Sequence, residues 1–148
     1  MITFAAGAAD AIRAEGEKTY PHECCGAILG RVTDPGISGG FGLREAEAVV
    51  PVENAREPEA QYHRFVIEAD DVMRVELAAR RQGLDVLGFY HSHPDHPARP
   101  SEYDHEHALP FYSYVIVAVE KGRAAALTSW RLTADRSGFI EEETEARG

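Results

Sequence analysis

Only two stretches of this chain carry the spacing of a full-length helix, and strand-like runs crowd between and after them. Ala5 to Thr19 sets Ala, Ile and Glu at helical intervals and meets a stop at Pro21. Glu68 to Gly83 sets Val72, Val75, Leu77 and Ala79 along an amphipathic helix, with acidic residues leading, Arg80 and Arg81 closing and Gly83 ending it. Cys24 to Val32, Leu43 to Val52, Tyr62 to Ile67 and Leu84 to His91 read as strands. Tyr114 to Val119 and Ala124 to Leu132 read as a strand pair around the turn Glu120-Lys121-Gly122-Arg123. Thr33 to Gly42 is Gly- and Pro-rich and must be a loop, and Glu53 to Ala60 is polar and turn-like. Because most strands follow one another without an intervening helix, an α+β fold or a three-layer mixed sheet fits best. With 148 residues, no internal repeat and no linker, the expectation is one domain over 1–148, its charged tail 141–148 frayed.

Charge narrows the partners. There are 25 acidic against 15 basic residues, a net −10, and that field repels nucleic acid and anionic membranes, so neither is expected to bind. The run Val115 to Val119 is far short of the roughly 20 apolar residues of a membrane span, and Met1 to Asp10 lacks the basic start of a signal peptide. Cys24 and Cys25 are adjacent, so on a strand they point to opposite faces and do not pair. A reducing cytoplasm is the expected compartment.

The chemistry concentrates in "FYHSHPDHPARPSEYDHEHA", Phe89 to Ala108, which holds five of the seven histidines. His91 and His93 are two apart at the end of a strand and so face one side together. Pro94 cannot donate to a ladder and ends the strand, and the prolines beyond it stiffen the loop. Ser101 with Asp104 three residues on resembles a capping box with Asp in place of Glu, and it places both on one face of a short helix, Ser101 to Leu109. If that face meets the strand end, two imidazoles and one carboxylate surround a point with a fourth position open, the donor set of a catalytic zinc site. His107, one turn past Asp104, is a rival ligand, while His105 and the loop residue His96 are expected to be bystanders. A base must also take a proton from water, and Glu23, Asp95, Glu102 and Glu106 are the candidates. Glu23, just ahead of the first buried strand, is the one most rigidly held.

"HSHPDHPARPSEYD" resembles the signature of the JAMM, or MPN-plus, zinc metallopeptidases: His-[Ser/Thr]-His-Pro, six residues, then Ser-x-x-Asp. "YPHECCGAILG", Tyr20 to Gly30, resembles that family's Pro-x-Glu-x-Cys-Gly strand, and the likeness extends from about Thr19 to Leu132. The resemblance implies His91, His93 and Asp104 as ligands of one Zn2+ per chain. It implies Glu23 as general base and Ser101 as the hydrogen-bond donor to the oxyanion. It implies a cytidine-deaminase-like α/β/α arrangement around a curved mixed sheet; no Pro-Cys-x-x-Cys pair supports deaminase chemistry itself. The substrates it implies are amide or isopeptide bonds after the C-terminal Gly-Gly of a ubiquitin-like protein. The compact length favours small bacterial Mec-type members, which act on sulfur-carrier proteins. Family members often form homodimers. The alternatives are a non-catalytic MPN-type interaction scaffold and a metal-binding protein without hydrolytic activity.

Overall fold

The computed structural model describes residues 1–36, 42–54 and 69–147. In chain order the elements are β1 (Ile2–Phe4), α1 (Ala8–Thr19), β2 (Cys25–Asp34), β3 (Leu43–Val52), α2 (Ala69–Arg81), β4 (Asp85–Pro94), α3 (Glu102–His107), β5 (Ser113–Glu120), β6 (Arg123–Leu132), β7 (Phe139–Glu142) and β8 (Thr144–Ala146). Most of the expected α and β segments are present, β3 with the bounds its sequence suggests. The strand expected over Tyr62 to Ile67, much of the Gly-rich loop and most of the polar turn lie outside the described residues.

The eight strands form a single mixed sheet in the order β7-β6-β5-β4-β2-β3-β1-β8. β2 pairs antiparallel with β3 and β4, whereas β4 and β5 run parallel, joined across the sheet by α3 and its flanking loops. β7 and β8 stand at opposite ends of that order, yet only Glu143 separates them in sequence. The sheet therefore curves until its two edges meet. At the junction the Ile2 amide donates to the Glu143 carbonyl at 2.9 Å.

This closure corrects the expectation of a frayed tail over 141–147. β8 runs parallel to β1, and the Arg147 amide donates to the Phe4 carbonyl at 2.8 Å. The side chains of β8, Glu145 among them, are exposed while its backbone is paired, and Glu142 at the end of β7 is buried, accepting from the Ser129 hydroxyl at 2.8 Å. Length and charge hid these short strands: β1 and β8 have three residues each and are stable only as additions to an existing sheet.

The helices cover opposite faces. α1 buries Ala8, Ala9 and Ile12 in a cluster with Tyr90, Val115, Val117 and Val119. Gly16 lets α1 approach β5, since a Cβ there would lie 2.9 Å from a Val119 methyl. α2 buries Val75 and Ala79 against Cys25, Ala27, Leu29 and Val52. Leu77, expected on that buried face, is 45% exposed. Val75 and Ala79 are four apart and share a face, whereas Leu77, two from each, points away. Cys24 belongs to the α1 cluster and Cys25 to the α2 cluster, both as free thiols, as their adjacency on a strand requires. Burial pushes the Cys24 thiol up to about 12, so it is inert at neutral pH.

Candidate functional site

Strand alternation sends Tyr90 and Ser92 to the α1 face of β4 and His91 and His93 to the other. His91 lies opposite Cys25 in the antiparallel register with β2. Glu23, two residues before Cys25, precedes β2 on the side where His93 follows His91. The ladder continues there: the Ser92 amide donates to the Cys24 carbonyl at 3.2 Å, and the Cys24 amide donates to the Ser92 hydroxyl at 2.8 Å. Glu23 is 5% exposed, and the Asn54 side chain donates to its carbonyl at 3.3 Å.

Beyond Pro94 the chain turns at Asp95, whose φ is 56°. The Asp95 carboxylate accepts from the Tyr20 hydroxyl at 2.6 Å and the Lys121 amide at 2.8 Å. Those bonds hold its pKa low and commit it to the loop, which removes it as a base candidate. Further on, the Ala98 carbonyl accepts from Thr128 at 2.6 Å. The chain then enters α3 through the capping box its sequence suggests. The Asp104 amide donates to Ser101 Oγ at 3.1 Å, and the Ser101 amide donates to Asp104 Oδ2 at 2.8 Å. The cap thus aims the Asp104 carboxylate at the end of β4.

Three atoms meet there. His91 Nε2 and His93 Nε2 are 3.1 Å apart, and each is 3.2 Å from Asp104 Oδ2. A tetrahedral zinc with ligands at about 2.0–2.1 Å separates its donor atoms by about 3.3 Å, so the triangle has the size of three corners of such a site. The proton arrangement fits as well. His93 Nδ1 is 2.8 Å from the Pro97 carbonyl, which can only accept, so that nitrogen carries a hydrogen and Nε2 faces Asp104, offering a lone pair there when the ring is neutral. Lone pairs converging on one carboxylate oxygen suit a divalent cation.

The electrostatics agree in direction. Burial alone would raise the Asp104 carboxyl, but His91, His93 and the Ser101 amide hold it far below the usual carboxylate range. Burial pushes the His91 imidazole down against the pull of Asp104. For His93 burial also opposes the charge, but the bonds to Asp104 and Pro97 outweigh it and the net shift is upward.

Glu23 completes the group: its carboxylate and the two imidazoles offer atoms all within 4.8 Å of one another. It could itself hold a metal together with the two imidazoles. Glu23, His93, Ser101 and Asp104 line one cleft of about 310 Å³, with His96, Pro97 and Arg99 at its wall.

The other candidates are elsewhere. His105 Nε2 is 2.8 Å from the Arg136 carbonyl, and His107 Nδ1 is 2.8 Å from the Tyr103 carbonyl. Glu102 and Glu106 are exposed on α3. Sequence reading gave no role to Ser92 or to the Pro97 carbonyl. The alternation of His-Ser-His places Ser92 on the far face, which is a usable signal; a main-chain carbonyl leaves none.

The sequence matches the family described as prokaryotic homologs of the JAB domain over residues 5–133. It is 31% identical over 111 residues to the probable TtuB-protein conjugate cleaving protease of Thermus thermophilus, covering 75% of this chain and 70% of that protein. It is 31% identical over 131 residues to the desampylase of Haloferax volcanii, covering 84% and 85%. The fold resembles the crystal structure of AF2198, a JAB1/MPN domain protein from Archaeoglobus fulgidus, with a TM-score of 0.58 at 18% identity over 99% of each chain.

Proposed function

The chain belongs to the prokaryotic JAB family and is a JAMM-type hydrolase, and from that premise we propose that it is a zinc peptidase or isopeptidase cutting the amide bond after the C-terminal Gly-Gly of a ubiquitin-like, sulfur-carrier type protein. One observation carries the reading: His91, His93 and Asp104 form a metal-sized triangle, and its members His93 and Asp104 line a cleft together with the buried Glu23. The names of the two relatives, a conjugate-cleaving protease and a desampylase, support a protein conjugate as substrate.

In this reading His91, His93 and Asp104 hold one zinc ion per chain. The bound ion supplies Lewis acidity, lowering the pKa of water toward ~7 and polarising the scissile carbonyl. Glu23 accepts the proton of the attacking water and delivers it to the amine as the C–N bond breaks, leaving a carboxylate and a free amine. The Asn54 bond and the Cys24–Ser92 contact hold the Glu23 main chain, and its side chain is almost wholly buried, which suits the fixed position that general base catalysis requires. Ser101 donates its hydroxyl hydrogen to the oxyanion, while its oxygen accepts from the Asp104 amide, so one residue serves both as cap and as donor. We further read the layering of α1 and α2 as the cytidine-deaminase-like α/β/α arrangement and the location as cytoplasmic. No helix among the described residues is long and apolar enough to cross a membrane. A non-catalytic scaffold is disfavoured because such a protein has no need of a buried Glu23 beside the triangle.

Mass spectrometry tests this on ubiquitin-like sulfur carriers extended past Gly-Gly by one residue, or joined there to a lysine side chain. Release of the extension by the zinc-loaded protein is expected; intact substrates across the panel would remove the peptidase reading. Ser101→Ala separates the two Ser101 roles. The lost cap costs about 1 kcal/mol in denaturant unfolding, whereas kcat is expected to fall about 10²-fold. A kcat loss matched by Ser101→Thr, which keeps the hydroxyl, would assign the defect to folding instead.

A further inference from the structure

Arg99 lies where three cavities join. It lines the cleft of Glu23, Ser101 and Asp104, and also two adjoining hollows of about 470 and 460 Å³ that share Trp130 and Glu141. Among the described residues no other Lys or Arg lines any of the three. The charged neighbours, Glu23, Asp104, Glu102 and Glu141, are acidic, and the chain as a whole carries −10.

The loop that presents Arg99 is fixed from both sides. The Arg99 amide donates to the Pro97 carbonyl at 2.8 Å, and that carbonyl also meets His93 Nδ1. Ala98 is buried and tied to Thr128, and Pro100 follows. The backbone is held two residues from the carbonyl that meets His93 Nδ1, while Arg99 itself is exposed and makes no ion pair with a described residue. Among the described residues no carboxylate holds its guanidinium, although acidic side chains line the same cavities.

An anion approaching the cleft would be repelled by Glu23 and Asp104 unless a cation met it. A guanidinium binds a carboxylate in a two-pronged, charge-assisted fashion that also fixes its orientation. In a linear extension of one residue past Gly-Gly, the α-carboxylate sits on the same carbon as the amine that leaves. In an isopeptide to lysine, the whole side chain separates the two. We propose that Arg99 is a specificity-determining residue that binds the free α-carboxylate of a single residue released from a Gly-Gly tail. Resting on the hydrolase reading above, it makes a free carboxylate beside the scissile bond a determinant of rate at that same site.

Short synthetic peptides ending in Gly-Gly-Ala, as the free acid and as the carboxamide, test this with the zinc-loaded protein. Wild type is expected to cleave the acid with a kcat/KM at least tenfold above the amide. Arg99→Gln should lower the acid rate toward that of the amide and change the amide rate by a much smaller factor. An acid-to-amide ratio that is the same in wild type and Arg99→Gln would overturn the proposal while leaving the hydrolase reading intact. Binding of the same peptides to Glu23→Gln, followed by calorimetry, gives a readout without turnover. Acid-selective binding that depends on Arg99, with no cleavage by wild type, would support carboxylate recognition and remove the hydrolase reading. Absence of both binding preference and cleavage overturns both.

Discussion

Glu23→Gln should take up metal like the parent and lose about 10²–10⁴-fold in kcat, the span that a positioned general base contributes. Glutamine keeps the shape of the side chain and its hydrogen-bonding reach but cannot take a proton. The position is buried, and its anchors, the Asn54 side chain on the Glu23 carbonyl and the Cys24–Ser92 ladder, are independent of the carboxylate. The fold should therefore be unchanged, and elemental analysis beside a cleavage assay separates the outcomes. Full metal with lost turnover is the expected pair of results. Normal turnover would transfer the base role to another residue. Lost metal would make Glu23 a ligand, the alternative that its place within 4.8 Å of both imidazoles leaves open.

Zinc is expected to stabilise the protein strongly and through the histidines. A ligand at a thousand times its Kd adds about 4 kcal/mol, and at about 2–4 °C per kcal/mol for a domain of this size that raises Tm by about 10 °C. The combined His91→Ala, His93→Ala variant should show no such rise in scanning calorimetry; an undiminished rise would place the metal elsewhere. Acid should erase the effect in wild type, and the sign follows from the shifts. Metal binds the deprotonated imidazole, and the His93 pKa is raised, so protons compete there first as pH falls through that raised value. Burial holds His91 neutral to lower pH, so it adds no competition until more acidic conditions. The zinc-induced Tm shift should grow with pH until His93 is neutral and then level off.

Some of this site is readable in the linear chain and some is not. A period of two places His91 and His93 on one face, and the spacing from Ser101 to Asp104 encodes a cap whose carboxylate turns inward. Both signals are local, and both appear in the structure. Glu23 is different. Its place beside His91 and His93 depends on the β2–β4 pairing across nearly seventy residues, so local pattern offered it only as the most rigidly held of four acidic candidates and the resemblance gave it the base role. β7 and β8 went unread because short charged segments become strands only when a sheet edge is waiting for them. Leu77 was misplaced because its hydrophobicity was weighed without the four-residue interval joining Val75 to Ala79.

The meeting of the two sheet edges also orders events in time. β1 finds β3 after some forty residues, but its other neighbour, β8, is the last strand to be made. At a synthesis rate of about 5–20 residues per second, the nascent chain carries an unpaired flank on β1 for on the order of ten seconds. During that interval residues 2–4 are a short open template for any extended segment nearby. Only when residues 144–146 leave the ribosome does the molecule cover that flank, so its completion in the cell is set by translation as much as by folding.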